Sequence, residues 1–230
     1  MFGLNLEDAK DMKKKRSPGS RLISNPGPHN PVVDRHYVPP KDLFIYAQSF
    51  HKAAQTLAAA FQASTGPFVE ADASAVVFIY RHAIELHLKA LVLGDGGNFL
   101  GTTPDALSVH KTHSVSWLAQ FVCQIITAVK WEAEFNCEGV GTLADFKAVI
   151  EELNAVDPGS CVFRLPVSAE GQDAVPGQVK LTIREFGRKM DALLELLDST
   201  ADALAATWDL HTETGLEGDW SDGGFEPPIQ

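Results

Sequence analysis

Cysteine, long apolar runs and positive charge outside the first forty-odd residues are what this chain has least of, and each shortage removes a class of function. There are three cysteines, Cys123, Cys137 and Cys161. Their number is odd and no two stand in a Cys-x-x-Cys pair, so neither a disulfide framework nor a zinc ribbon is expected. No uninterrupted apolar run approaches the roughly 20 residues of a membrane-crossing helix. The first residues, MFGLNLEDAKDMKKKR, put acids where a secretory leader carries its apolar segment. The expectation is a soluble, cytoplasmic protein with no membrane partner.

Catalytic and cofactor signatures are equally sparse. No Gly-x-Ser-x-Gly occurs, and Cys123 sits in an apolar stretch where a thiolate is disfavoured. Gly94 to Gly97 lack the Lys and Ser/Thr of a phosphate-binding loop, so no cofactor is assigned. His110 and His113 stand in a His-x-x-His, but in a loop entering a helix, which fixes neither as a ligand; no metal is expected.

Positive charge is confined. The formal net charge is −11, from 19 Lys and Arg against 30 Asp and Glu. Residues 1–41 hold 8 of those bases and 4 of those acids, leaving 11 bases and 26 acids elsewhere. A body of that sign repels a nucleic-acid backbone at long range, so RNA contact needs a local basic groove, the amino-terminal arm or a basic partner.

What is present is helical periodicity. Residues 1–41 are rich in Pro, Gly, Ser and Asn and read as an irregular basic arm. Residues 42–210 read as one all-α, up-and-down bundle, and residues 211–230 as a flexible acidic tail. Leu43, Ala47, Phe50, Ala54, Leu57 and Phe61 form one apolar stripe over 42–64. A second helix is expected over 71–93, ending at the Gly94 cluster, and a third from 112–114 toward Phe135. Thr142 caps a shorter helix with Asp145 in its first turn, and Asp157-Pro158-Gly159 ends it. Residues 160–177 suggest an extended segment or a lone strand pair, and the last helix is expected over 179–208.

The second helix is the most informative. Around its wheel, Ser74, Arg81, His82, Glu85 and Lys89 fall in one stripe roughly 100° wide, beside an apolar arc of Val77, Tyr80, Ile84, Leu88 and Leu91. So many ionisable groups in a core helix must be paired or functional. Arg81–Glu85 and Glu85–Lys89 have the spacing of an ion-pair ladder. His113, at the start of the third helix, is placed to reach that stripe. Arg164 suggests a guanidinium anchored by a carboxylate such as Glu85 or Glu151, or an anion contact. His87 falls on the apolar side.

Three segments occur in order: YRHAIELHLKAL at 80–91, KTHSVSWLAQF at 111–121 and FRLPVSAEG at 163–171. With the long helix that follows, they resemble the HEPN superfamily, helical-bundle proteins of prokaryotic antiviral defence and toxin–antitoxin systems. The resemblance implies about four or five helices, frequent homodimers, and a role in RNA cleavage, RNA binding or protein partnership. Its ribonuclease members carry an Arg followed a few residues later by His, which Arg81, His82 and His87 match in spacing. The carry-over would make His a general base on the 2′-hydroxyl and Arg the stabiliser of phosphate charge, without metal, in a cleft between protomers. Two expectations stand side by side. One is an RNA-directed module, a metal-independent endoribonuclease built on Arg81, His82 and His87. The other is a non-catalytic interaction or scaffold subunit that binds a partner protein, with Glu85, Lys89, His113 and Arg164 in a structural seam or anion contact.

Overall fold

The apolar stripes dictate the packing. The computed structural model describes residues 41–62, 69–157, 159–160, 162–164 and 181–214, all within the unit spanning residues 38–230. Six α-helices occur among them: α1 (Lys41–Gln62), α2 (Val69–Leu93), α3 (Ala106–Lys111), α4 (Val115–Ala128), α5 (Leu143–Val156) and α6 (Ile183–Thr214), with a 3-10 turn at Asp95–Phe99 between α2 and α3. No strand occurs among the described residues, whose only extended pairing is an isolated bridge between Cys137 and Val140. The fold is an all-α bundle. None of its described helices is long and apolar enough to cross a membrane.

Helix α2 is the axis of the bundle. It lies along α1 and also packs on α4 and α6, while α4 covers α5 and α1 covers α6. Val76, Ile84, Leu88 and Val92 are wholly buried on α2, as are Leu118 and Ile125 on α4, Ile150 on α5 and Leu194 on α6. Each such side chain contributes about 1.5–3 kcal/mol by leaving water. Phe135 and Phe146 meet edge to face at 5.2 Å and close the end of the core under α5, the geometry that the ring quadrupole favours. A helix enclosed on this many sides cannot hold a polar stripe facing solvent.

Local chemistry sets the boundaries. Thr142 caps α5: its hydroxyl accepts from the Asp145 amide at 3.1 Å, while the Asp145 carboxylate accepts from the Gly141 amide at 3.2 Å. That satisfies amides the helix leaves orphaned. Helix α4 stops at Ala128, well short of Phe135. Lys130 adopts φ 59°, its amide donates to Thr127 O at 3.1 Å, and the Trp131 amide donates to Ile126 O at 3.0 Å. This is a Schellman closure with lysine where glycine is usual, and periodicity alone carries no trace of it. The sixth helix, α3, exceeds the four or five expected; Asp105 caps it by accepting from the Ser108 amide at 2.9 Å.

The Gly94 cluster is a packed turn, not a loose hinge. A Cβ on Gly97 would sit 2.4 Å from Val92 O, so only glycine permits that approach. Helix α6 begins at Ile183 and runs on to Thr214, so the first residues of the expected tail are helical. Residues 162–164 form a turn. Lys41, the last residue of the expected arm, opens α1; residues 1–40, residues 161 and 165–177 of the connector and the tail beyond Thr214 lie outside the described residues.

Candidate functional site

Of the polar stripe of α2, Arg81, Glu85 and Lys89 are buried and bonded, while Ser74 and His82 are half-buried. Arg81 has no solvent exposure, and each of its three guanidinium nitrogens donates to a different group. Nη1 reaches Glu85 Oε2 at 3.0 Å, Nη2 reaches His113 O at 2.6 Å, and Nε reaches Asp157 O at 3.1 Å with the Asp157 carboxylate 3.5 Å away. Lys89 donates to Glu85 Oε1 at 2.9 Å and to His110 O at 3.1 Å. His113 Nδ1–H donates to the same Glu85 oxygen at 3.0 Å; a carboxylate can only accept, which fixes that tautomer. Asp157 in turn accepts from the Val162 amide at 3.0 Å.

Two cations, Arg81 and Lys89, thus meet two carboxylates, Glu85 and Asp157, all four buried, with the half-exposed His113 at the edge. Their carbonyl partners have a common logic. His110 O lies in the last turn of α3, and Asp157 is the C-terminal cap of α5, so Lys89 and Arg81 each place a cation against the negative end of a helix. The seam ties α2 to the α3–α4 connection and to the end of α5. Burial pushes the Glu85 carboxyl up, but the bond and charge of Lys89, with the charges of His113 and Arg81, outweigh it and hold Glu85 below its ordinary value.

The other side of α2 carries a second polar group, facing α1 and α6. Tyr80 Oη donates to Asp191 Oδ1 at 2.9 Å, and His51 Nε2–H donates to the same oxygen at 2.9 Å, joining the three helices at one carboxylate. Gly187 on α6 makes room, since a Cβ there would lie 3.4 Å from the Tyr80 hydroxyl. Burial first, then Asp191, pushes the Tyr80 phenol well above its usual value, so it stays a donor. His87 is wholly buried; its Nδ1–H donates to Ala83 O at 2.9 Å. That leaves the lone pair of Nε2 without a hydrogen bond, 3.6 Å from Asp198 Oδ1, which already accepts from Gln48 at 2.8 Å. Burial holds the His87 imidazole below its ordinary value, against the pull of Ala83 O and Asp198.

The three residues matched to the Arg/His pattern thus face three different surroundings. Arg81 points to the α3–α4 connection and Asp157, and His87 points to Asp198 and the Phe44 ring, 5.5 Å away. His82 is half-buried between Phe50, edge-on at 4.6 Å, and Phe78, nearly parallel at 5.9 Å. Burial lowers the His82 pKa. The fold brings Arg81, Glu85, Lys89 and His113 together and leaves His82, His87 and Arg164 apart from them.

Arg164 has a partner that neither expectation named. Its guanidinium carbon lies over the Phe78 ring, 5.8 Å from the centroid, and among the described residues no carboxylate pairs with it. Glu85 is occupied by Arg81, Lys89 and His113, and Glu151 accepts from Ser116. A planar cation on a ring face gains from the quadrupole without any counter-ion.

Sequence reasoning passed over Asp157 as a pairing group, along with His51, Asp191 and Asp198. The available signal was a polar residue inside an apolar stripe: His51 follows Phe50 and stands one turn after Ala47. Cys123 is buried and its thiol is pushed up to about 11, which disfavours a nucleophilic thiolate. Among the described residues no group of three or more His, Cys, Asp or Glu is placed to hold a metal. Comparison with protein-family models, with curated proteins and with solved structures finds no match for the chain.

Proposed function

We propose that the chain is a non-catalytic interaction subunit, a HEPN-like helical module of a prokaryotic defence or toxin–antitoxin assembly, whose polar seam is structural. The single observation that supports this is the state of Arg81. A group that neutralises a phosphate must reach it, and Arg81 is sealed from solvent with every nitrogen already bonded to the protein. Freeing it would break a buried ion pair, which costs about 3–5 kcal/mol. His87 cannot join it at one phosphate from the opposite side of the same helix. The assignment to defence rests on the order of the three segments quoted from the sequence. A cytoplasmic homodimer belongs to the same proposal.

A second reading keeps one foothold. His82 is partly exposed, and burial lowers its pKa and so favours the neutral imidazole, the form from which a general base must act. The test is incubation of the purified full chain with total RNA in chelator, beside His82→Ala, which removes no buried ion pair. The proposal expects neither protein to cleave. Cleavage by the wild type that His82→Ala abolishes would establish the ribonuclease reading instead.

A further inference from the structure

A groove of about 520 Å³ opens where the start of α1, the end of α2 with its 3-10 turn, and the middle of α6 converge. Its floor is apolar: Leu91 and Ala90 from α2, with Ala201 and Ala205 one turn apart on α6. Ile45 stands at its edge with 59% of its surface exposed. Among the described residues its charged lining is Asp95 and Asp202, both exposed, with no Lys, Arg or His. Helix α6 carries six acids and no Lys or Arg from Asp191 to Glu213, and of these Asp202 lines the groove.

We infer that this groove docks a basic amphipathic helix of a partner protein, with its apolar side chains on the Leu91/Ala201/Ala205 floor and its Lys or Arg residues against Asp95 and Asp202. The inference deepens the interaction-subunit reading, on which it rests, by naming the partner's chemistry. Size and lining fit a site that takes a few large apolar side chains, and laying an apolar helix face in such a groove is a recurring mode of recognition. Charge decides among occupants. Acids at the rim repel nucleic-acid phosphates and anionic lipid headgroups. Outside residues 1–41 the chain itself carries 26 acids against 11 bases, so the body of a second copy would meet the rim with its own sign, and only its basic residues 1–41 would compete for the groove.

The probe is a labelled peptide with Leu at the i, i+3, i+4 positions of one helix face and Lys elsewhere, titrated into the full chain by fluorescence anisotropy. Its control has Glu in place of every Lys. The Lys peptide should bind with an affinity that falls as salt rises, and the Glu peptide should bind at least about tenfold more weakly. Asp95→Lys/Asp202→Lys should weaken the Lys peptide by about tenfold or more, and Ile45→Glu should weaken it through the lost apolar contact. Glu195→Lys, an exposed change on α6 outside the groove lining, should leave it within about twofold, which separates docking from attraction to any acidic surface. Three results would overturn the inference: equal binding of both peptides, equal losses from Glu195→Lys and the groove pair, or a dimer in sedimentation that Ile45→Glu dissociates. Failure here leaves the RNA result untouched, so the two proposals fall separately.

Discussion

The two polar groups that flank α2 are built from different residues, Arg and Lys against carboxylates on one side and histidines and a tyrosine on the other, and reach opposite states. On the α3–α4 side, Arg81, Glu85, Lys89 and Asp157 form a closed, charge-balanced set in which every donor named has a partner. On the α1–α6 side, His87 is neutral, one of its nitrogens lacks a hydrogen bond, and its neighbour Asp198 is 37% exposed. A buried charge set holds when its members cancel and helix ends supply the remaining bonds. A buried histidine holds by giving up its charge, which makes it the part that responds to pH. The first side is a clamp and the second a titratable joint.

The largest effect comes from breaking the clamp. Arg81→Ala takes the guanidinium from Asp157 and leaves Glu85 with Lys89 and His113 alone, and should lose about 3–5 kcal/mol in urea unfolding. Asp157→Ala removes one acceptor and the anchor of the Val162 amide, and should lose about 1–3 kcal/mol. Losses below about 1 kcal/mol in both variants would show the seam to be open to water.

Acid separates the two sides in order. The folded pKa values of His87 and His82 lie below their ordinary value, so below about 6.5 the unfolded chain takes up protons that the folded chain refuses. Stability is therefore full above about 6.5 and falls as the pH drops below it. Glu85 has a lowered folded pKa, so its contribution is present above its unfolded value, about 4.5, and is lost as pH falls through the folded one. His87→Met should flatten the first decline and leave the second. A first decline unchanged by both His87→Met and His82→Ala would remove the histidines from the account.

The smallest effect belongs to His113, whose side chain is 54% exposed. His113→Ala keeps the backbone carbonyl that Arg81 uses, and should cost less than about 1 kcal/mol. A larger loss would move the weight of the clamp from the backbone to the ring.

Much of this was legible in the sequence, for identifiable reasons. The all-α class followed from the spacing of Leu43, Ala47, Phe50 and Ala54, and the start of α5 from Thr142 and Asp145. The stripe of α2 was visible because Arg81, Glu85 and Lys89 repeat at four residues, which is local information. Asp157 is 76 residues from Arg81, and Asp191 is 111 from Tyr80; pairings at that range are made by packing, and a single sequence carries no term for them. The end of α4 was missed because its closure is a backbone conformation at Lys130, a residue type that does not announce it. For Arg164, charge points to a carboxylate or an anion, and its contact with the Phe78 ring face is one that charge does not announce.

The most direct test of the clamp is a double-mutant cycle between Arg81→Met and Glu85→Leu, read by equilibrium unfolding. A closed, dry set predicts that each single change costs about 3–5 kcal/mol and that the double costs less than their sum by about 2 kcal/mol or more, since each single leaves its partner charged and buried. Additive losses, each below about 1 kcal/mol, would contradict it.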